Sequence, residues 1–313
     1  MANTTITGVR AAVDIAAPGE LNVLAAYLGP TGGLAPLTDI TQNPSPTNQY
    51  FVNQDGTSSA SPTVAGGVAL MKDAAKAWWM GMPGTALDSR VIKSVLMATS
   101  DRTDGWSNGQ ATVGGVVRTT QALDWATGAG ALDLETAGLT YLEGDTIDVG
   151  GLGGGTIGLK GWDYGSVGVN AFNDYTFNST LSSPYELQVS LNWFARGTFD
   201  NATDVGTRSA FANLDLQVWS IANGAFNSLI AESTSLYNNA EFLRFTLTGA
   251  GQYGLRVLSP GMIYDANAST APVTSETYGL AWNMVIVPEP SSLAMAAAGA
   301  ALAATLASRR RAS

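Results

Sequence analysis

The segment with the clearest chemical potential is GTSSASPTVAG, residues 56–66, where a serine stands just before an apolar helix candidate. At a helix start the first backbone N–H groups have no intrahelical partner, and the helix dipole is positive. Such donors can stabilise an oxyanion that develops on a substrate. Ser58 is therefore a candidate nucleophile whose own N–H would help to hold the oxyanion. The same string is also typical of a serine that only caps the helix.

Two residue types that would complete such a site are missing. The chain has no histidine and no cysteine among its 313 residues. Histidine is the usual general base near neutral pH, and a serine hydroxyl without a base is a poor nucleophile. Ser-His-Asp and Cys-His mechanisms are therefore excluded for this chain alone. The acidic residues are scattered, so no paired-carboxylate site and no cofactor is identified. Calcium would suit their oxygen ligands, but no spacing specifies a calcium site.

The amino-acid composition narrows the classes of protein to which the chain could belong. Hydrophobic residues make up 45% and charged residues 13%, which favours packed cores over disorder. Fifteen basic against 25 acidic residues give a net charge of −10, which disfavours nucleic acid as a partner. The length suggests about two domains.

The elements that must position Ser58 lie in residues 1–142. Residues 63–79 read as a helix that is apolar on every side in its first half, which predicts a buried helix. A second, amphipathic helix begins near Asp88, and residues 13–16 form a short apolar run that predicts a buried strand. A buried helix needs a covering layer; we expect residues 1–142 to be α/β with a parallel sheet, as the family resemblance given below implies.

The rest of the chain has a different pattern of residue types. Residues 143–160 are glycine-rich, and their nominal G-x-G-x-x-G at Gly153, Gly155 and Gly158 is read as a linker because no helix follows it. Residues 185–193 alternate apolar and polar side chains, which predicts a half-buried strand. Similar short runs follow, so residues 161–286 predict a β-sandwich.

The C-terminus carries an uncharged, alanine-rich stretch, residues 291–308, followed by Arg309, Arg310 and Arg311. As a helix it would be roughly 27 Å long, close to the hydrocarbon thickness of a bilayer. We therefore predict a transmembrane helix with its arginine end in the cytoplasm. The alternative is an ordinary alanine-rich surface helix.

The motif GTSSASPTVAG resembles the nucleophile motif of the subtilisin-like serine proteases, the subtilases. Three further segments resemble subtilase segments in the family's order: VDIAAPG (13–19), RVIKSVLMATSDRT (90–103) and AGALD (129–133). The resemblance implies a serine endopeptidase that works by acyl transfer. It assigns Ser58 as nucleophile and oxyanion donor, within a motif context of Gly56, Thr57, Ala60 and Pro62.

The departure from the family is as informative as the match. The aspartate and histidine of a subtilase precede the serine, and this chain has neither in a family context. We therefore interpret residues 1–142 as a partial catalytic domain, inactive alone, that acts on a peptide or protein substrate if an upstream segment completes it. The alternative is a non-catalytic surface-binding or matrix protein derived from a subtilase.

The two later regions also carry resemblances. Residues 161–286 resemble the jelly-roll domains that follow many subtilase catalytic domains. Residues 287–313, with Pro288, Glu289, Pro290, the apolar stretch and the arginine cluster, resemble a PEP-CTERM sorting signal. That resemblance implies export, a transient inner-membrane anchor, processing by an exosortase-type enzyme, and a final place at the cell surface or in the extracellular matrix.

Overall fold

The computed structural model describes residues 12–20, 22–25, 50–77, 82–144, 153–182 and 184–287, with only the backbone described in 22–25 and 50–54. Within these residues there are three α-helices, one short 3₁₀ helix at Gly84–Leu87 and fourteen strands.

The helices are α1 (Thr57–Ala77), α2 (Ser89–Ala98) and α3 (Leu134–Glu143). The strands that precede α3 in the chain are β1 (Asn22–Ala25), β2 (Tyr50–Gln54), β3 (Ala111–Val113) and β4 (Val116–Thr119). The strands that follow it are β5 (Gly155–Ile157), β6 (Lys160–Gly168), β7 (Phe172–Phe177), β8 (Tyr185–Trp193), β9 (Arg196–Asp200), β10 (Val205–Ala222), β11 (Ala225–Ser233), β12 (Ala240–Leu247), β13 (Gln252–Asp265) and β14 (Ser275–Ile286).

Two sheets pack face to face as a sandwich. The large sheet has the order β3-β4-β11-β10-β13-β7-β5, with β9 added to β10, and the small sheet has the order β12-β8-β14-β6. The strand predicted for residues 185–193 is confirmed as β8, whose residues Leu187, Val189, Leu191 and Trp193 all enter the core between the sheets. Successive side chains of a strand point to opposite faces, so residues at every second position share one face, and these four supply a single apolar face. The strand is not half-buried as predicted, because Ser190 and Asn192 on its other face are buried as well.

The outer face of the small sheet is covered by helices. In α2 the apolar residues Val91, Ile92 and Val95 form one core with Tyr141 of α3 and Trp162 of β6. The short hairpin β3–β4 reaches the other layer, because β4 pairs in parallel with β11. Residues 82–143 are thus packed onto both sheets of the sandwich.

The predicted fold class was a parallel-sheet α/β part followed by an all-β sandwich and a C-terminal transmembrane helix; the sandwich is present, but the class as a whole is wrong. The described chain is mostly β, and the strands before α1 form only a two-stranded antiparallel pair. The longest helix, α1, has 21 residues but carries Lys72, Asp73 and Lys76. Among the described residues no helix is both long and apolar enough to cross a bilayer. The predicted span, residues 291–308, lies outside the described residues.

The helix predicted for residues 63–79 also differs. It begins six residues earlier, at Thr57, and it is mostly exposed, with only Gly67 and Met71 buried. The reason is that no sheet lies beneath it in the described part of the chain. The apolar first half therefore faces partly open space instead of a covering layer.

Candidate functional site

Ser58 lies in the first turn of α1, with an exposed side chain. The carbonyl of Gly56 accepts hydrogen bonds from the N–H groups of Ser59 (2.9 Å) and Ala60 (3.3 Å), which fixes the helix start. Pro62 lies inside the helix and has no N–H, so the Ser58 carbonyl four residues before it has no helical donor. The Gly56 carbonyl thus pairs the N–H groups of Ser59 and Ala60, whereas the N–H of Ser58, at the second position of the helix, has no acceptor within the helix.

The turn after Pro18 holds this helix start. The Gly56 N–H donates to the Gly19 carbonyl at 2.7 Å. A Cβ on Gly19 would lie 3.0 Å from the Gly56 oxygen and 3.3 Å from the Ala60 Cβ. Gly56 itself has φ +130°, a conformation that side chains with a Cβ rarely adopt. Two glycines and an alanine thus allow the two segments to approach closely.

The structure brings the four subtilase-like segments together through backbone hydrogen bonds. In addition to the Gly19–Gly56 bond, the Ala16 N–H donates to the Gly130 carbonyl at 2.8 Å. Asp101 and Ala131 exchange two hydrogen bonds of 2.8 Å. A Cβ on Gly130 would lie 2.1 Å from the Asp101 oxygen, so a glycine is needed at that crossing.

A salt bridge joins α2 to the segment 13–19, and an apolar cavity lies between α1 and α2. Lys93 of α2 contacts the Asp14 carboxylate at 2.8 Å. The cavity has a volume of about 260 Å³ and is lined mainly by apolar side chains that include Val64, Val68 and Ile92. Ser58 is not part of this lining.

Among the described residues, no side chain that could act as a base for Ser58 is brought to it. The chain has no histidine, and Asp14 is engaged by Lys93. Within the described ranges no cluster of three or more acidic residues could hold a metal ion. Of the other motif residues, Thr57 and Pro62 are exposed and Ala60 is half-buried. The predicted sorting residues Pro288, Glu289, Pro290, Arg309, Arg310 and Arg311 lie outside the described residues.

Sequence reasoning missed the residues that attach α2 to the sandwich. Asp88 caps α2 by accepting from the Arg90 N–H at 2.8 Å, and the Arg90 guanidinium donates back to it at 2.8 and 2.9 Å. The same guanidinium donates to the Tyr164 hydroxyl at 3.1 Å and to the Thr277 hydroxyl. Burial acts to raise the pKa of Asp88, but its hydrogen bonds with Arg90 lower it below the usual value.

A second attachment lies one turn along α2. The buried Ser94 hydroxyl donates to the Gly279 carbonyl of β14 at 2.8 Å and accepts from the Asn192 amide of β8 at 2.9 Å. A Cβ on Gly279 would lie 2.4 Å from the backbone of Arg90, so the glycine permits close helix–sheet contact. In the local sequence, the only sign of this contact is that a serine, Ser94, stands within the apolar stripe of the helix.

The third attachment is Arg244 of β12, which is 4% exposed. Its guanidinium donates to the Ser100 carbonyl just after α2 and to the Gln188 side chain at 2.6 Å, and it lies 5.3 Å from the Trp106 ring centre. Burial lowers the pKa of Arg244 to about 10. Because the Arg244 cation is buried this deeply, loss of its partners would leave an unpaired charge in the interior. Arg244 therefore stabilises the contact between the end of α2 and β12.

Comparison with known families decides what these segments are. Residues 2–130 match the subtilase family, and residues 287–311 match the PEP-CTERM protein-sorting motif. The N-terminal part of the chain is a subtilase segment. The subtilase match includes α1, α2 and the segments 13–19 and 90–103, and it ends inside the segment 129–133. The sorting motif implies that this subtilase-derived chain is exported and sorted to the cell surface.

Other comparisons add little. No curated protein matches the chain. The pre-peptidase C-terminal domain of a Bacillus anthracis collagenase is 17% identical over 42% of this chain and 96% of that domain, with a TM-score of 0.27. The periplasmic inhibitor of g-type lysozyme from Aeromonas hydrophila is 14% identical over 42% of this chain and 97% of the inhibitor, with a TM-score of 0.25. Similarity at this level identifies neither the fold nor the function of the subtilase-derived chain.

Proposed function

We propose that this chain is the serine-bearing portion of an exported, surface-sorted subtilisin-like endopeptidase, with Ser58 as the nucleophile that attacks the scissile peptide carbonyl. The observation that carries the proposal is the exposed position of Ser58 in the first turn of α1, at the convergence of the four family segments. The N–H of Ser58 itself would stabilise the oxyanion. The small residues Gly56 and Ala60 leave room for a substrate backbone.

The chain alone is expected to be inactive. Acyl transfer needs a base that takes the proton from the Ser58 hydroxyl as its oxygen attacks. The chain has no histidine to serve as that base. Loss of this base costs a serine protease a factor on the order of 10⁶ in turnover. A second segment carrying an aspartate and a histidine must therefore complete the site before a peptide or protein substrate is cleaved.

The test is peptide hydrolysis by the chain alone and by the chain combined with a subtilase N-terminal segment that supplies both residues. We expect activity only in the combination, lost in Ser58→Ala and retained in Ser61→Ala. Ser61 is the matched control because it is an exposed serine in the same helix turn region. Activity of the isolated chain that disappears in Ser58→Ala would refute the need for a second segment. Activity of the combination that survives Ser58→Ala would refute the nucleophile.

A second candidate is a non-catalytic surface-binding or matrix protein derived from a subtilase. The observation that favours it is the attachment of α2 to the sandwich through Arg90, Ser94 and Arg244. That attachment gives the subtilase segment a structural use that does not require Ser58. If the combination described above shows no hydrolysis while both parts are folded, the non-catalytic function is the better account.

The partner for the sorting motif is an exosortase-type processing enzyme. The last described residue, Val287, is held by a hydrogen bond of 3.0 Å from its N–H to the Pro184 carbonyl. The first residue of the sorting motif is therefore hydrogen-bonded to the β-sandwich. We expect chain produced in a host with such an enzyme to lose mass C-terminal to about residue 290. Replacing Pro288, Glu289 and Pro290 by alanine should prevent that loss, as measured by intact mass.

A further inference from the structure

The outer face of the large sheet carries a row of polar side chains that crosses five strands. Cross-strand pairing places Arg118, Glu232, Gln217, Arg256 and Asp174 next to one another, on β4, β11, β10, β13 and β7 in that order. In β10 and β13 the residues on either side of this polar row lie in the core between the sheets, so the row points away from that core. The helices pack on the other sheet and do not cover the row.

Contacts within the polar row hold its side chains in place and leave it without net charge. Arg118 forms a salt bridge with Glu232, and the Gln217 amide donates to the same carboxylate at 3.4 Å. The Arg256 guanidinium donates two hydrogen bonds, of 2.6 and 2.7 Å, to the Asp174 carboxylate. Two arginines thus balance two acidic residues, while the carboxylate and amide oxygens keep unused lone pairs. Such a row suits a neutral ligand with many hydroxyl groups better than an ion.

Three aromatic rings surround the Arg256 guanidinium. Its central carbon lies 4.0 Å from the ring centre of Phe172, 5.0 Å from that of Phe226 and 5.2 Å from that of Trp219. Phe172 is 52% exposed. A Cβ on Gly254 would lie 2.6 Å from the Phe226 ring, so the glycine allows that ring to lie across β13. These three rings, the ring cluster, place an apolar surface beside the polar row.

Two unpaired acceptors lie on the same face of β10. Asn213 and Asp215 stand four and two residues before Gln217, so their side chains point to the side of the polar row. Asn213 is 9% exposed and Asp215 is 8% exposed. Among the described residues, the Oδ1 atom of each has no hydrogen-bond partner. A buried acceptor without a donor costs free energy, and a hydroxyl group of a ligand would supply the donor.

We propose that the polar row and the ring cluster bind a neutral carbohydrate chain. The exposed ring of Phe172 would stack on the apolar face of a sugar ring, and the row would exchange hydrogen bonds with its hydroxyl groups. Five strands span about 19 Å, which suits an extended chain better than a single small molecule. The row has no net charge and the whole protein carries −10, so a polyanionic chain is disfavoured. This binding is independent of Ser58 and goes beyond the proposed endopeptidase function.

Affinity electrophoresis of the full chain tests the proposal. Native gels would contain laminarin, dextran, galactomannan or hydroxyethyl cellulose as neutral probes, and alginate as the anionic one. We expect at least one neutral probe to retard the chain and alginate to leave its migration unchanged. Phe172→Ala should raise the dissociation constant at least ten-fold. Phe199→Ala is the matched control, expected to change it less than two-fold, because Phe199 is 60% exposed on β9, away from the row.

A variant of the polar row separates this surface from unspecific contact by an exposed ring. Gln217→Ala removes the central amide of the row and should raise the dissociation constant at least five-fold. Urea denaturation of each variant shows that it is folded. Retardation by none of the four neutral probes, or by alginate alone, would overturn the proposal. Equal weakening by Phe172→Ala and Phe199→Ala, or unchanged binding in folded Gln217→Ala, would also overturn it.

Discussion

The two long helices of the subtilase segment differ sharply in burial. Seven of the ten residues of α2 are buried, against two of the 21 residues of α1. The sandwich covers α2 through β14 and β8, whereas α1 is held mainly by the Gly19–Gly56 hydrogen bond and by contacts around Gly67 and Met71. The helix that carries the candidate nucleophile is therefore the less supported one. Sites that must accept a partner are drawn from such weakly stabilised parts of a structure.

The largest expected effect comes from separating α2 from the sandwich. In Gly279→Ala the new Cβ would lie 2.4–2.6 Å from the backbone of Arg90 and Val91, so the helix must move. We expect a loss of about 3 kcal/mol in the free energy of unfolding, the upper end for overpacking. Urea denaturation checks this value. Gly138→Ala in α3 is the control, because nothing lies within 4 Å of its added Cβ. Similar stability of the two variants would mean that α2 is not pressed against β14.

An intermediate effect is expected at the N-cap of α2. Asp88→Ala removes the cap and a charged partner of Arg90, at a cost of about 1.5 kcal/mol. The pKa of Asp88 is lowered in the folded state, so its contribution is present above the unfolded pKa and is lost as the pH falls through the folded pKa. The stability difference between wild type and variant should therefore shrink as the pH falls below about 4.

The control for Asp88 is Asp73→Ala, which removes an exposed carboxylate from α1. Its effect on stability should be within about 0.5 kcal/mol at any pH. If Asp73→Ala lowered the free energy of unfolding as much as Asp88→Ala, the expected difference between α1 and α2 would be contradicted.

The smallest effect is local to α1. Gly66 is exposed in the middle of the helix, and an added Cβ there meets nothing within 4 Å. Gly66→Ala should stabilise α1 by about 1 kcal/mol through helix propensity alone. Hydrogen exchange of the α1 amides should slow about five-fold, while exchange in α2 stays unchanged. Equal slowing in both helices would show that they unfold together.

The predicted domain boundaries at 142 and 161 stay a prediction. Limited proteolysis would test them, since a boundary there predicts an early cut between the two parts. The attachments by Ser94 and Arg244 mean that any two such domains share a polar, well-packed interface. A helix–sheet contact made across nearly 200 residues of sequence cannot be read from local patterns.

The sequence by itself determined the elements whose pattern is local. The alternation in residues 185–193 became β8, and the apolar stripe after Asp88 became α2 with Asp88 as its cap. The family motifs were also readable, because they are fixed by residue type and order. The period of the hydrophobic residues predicts which side of an element is buried. A family motif predicts which segments belong to one domain.

Only the tertiary structure decided what covers each apolar face. The stripe of α2 would suit any apolar layer, and the structure covers it with the small antiparallel sheet, whose strands all follow residue 142. The apolar start of α1 predicted burial, yet no sheet covers it in the described chain. Hydrophobic burial is not directional, so an apolar face specifies that it needs a partner and leaves the choice of partner to the rest of the fold.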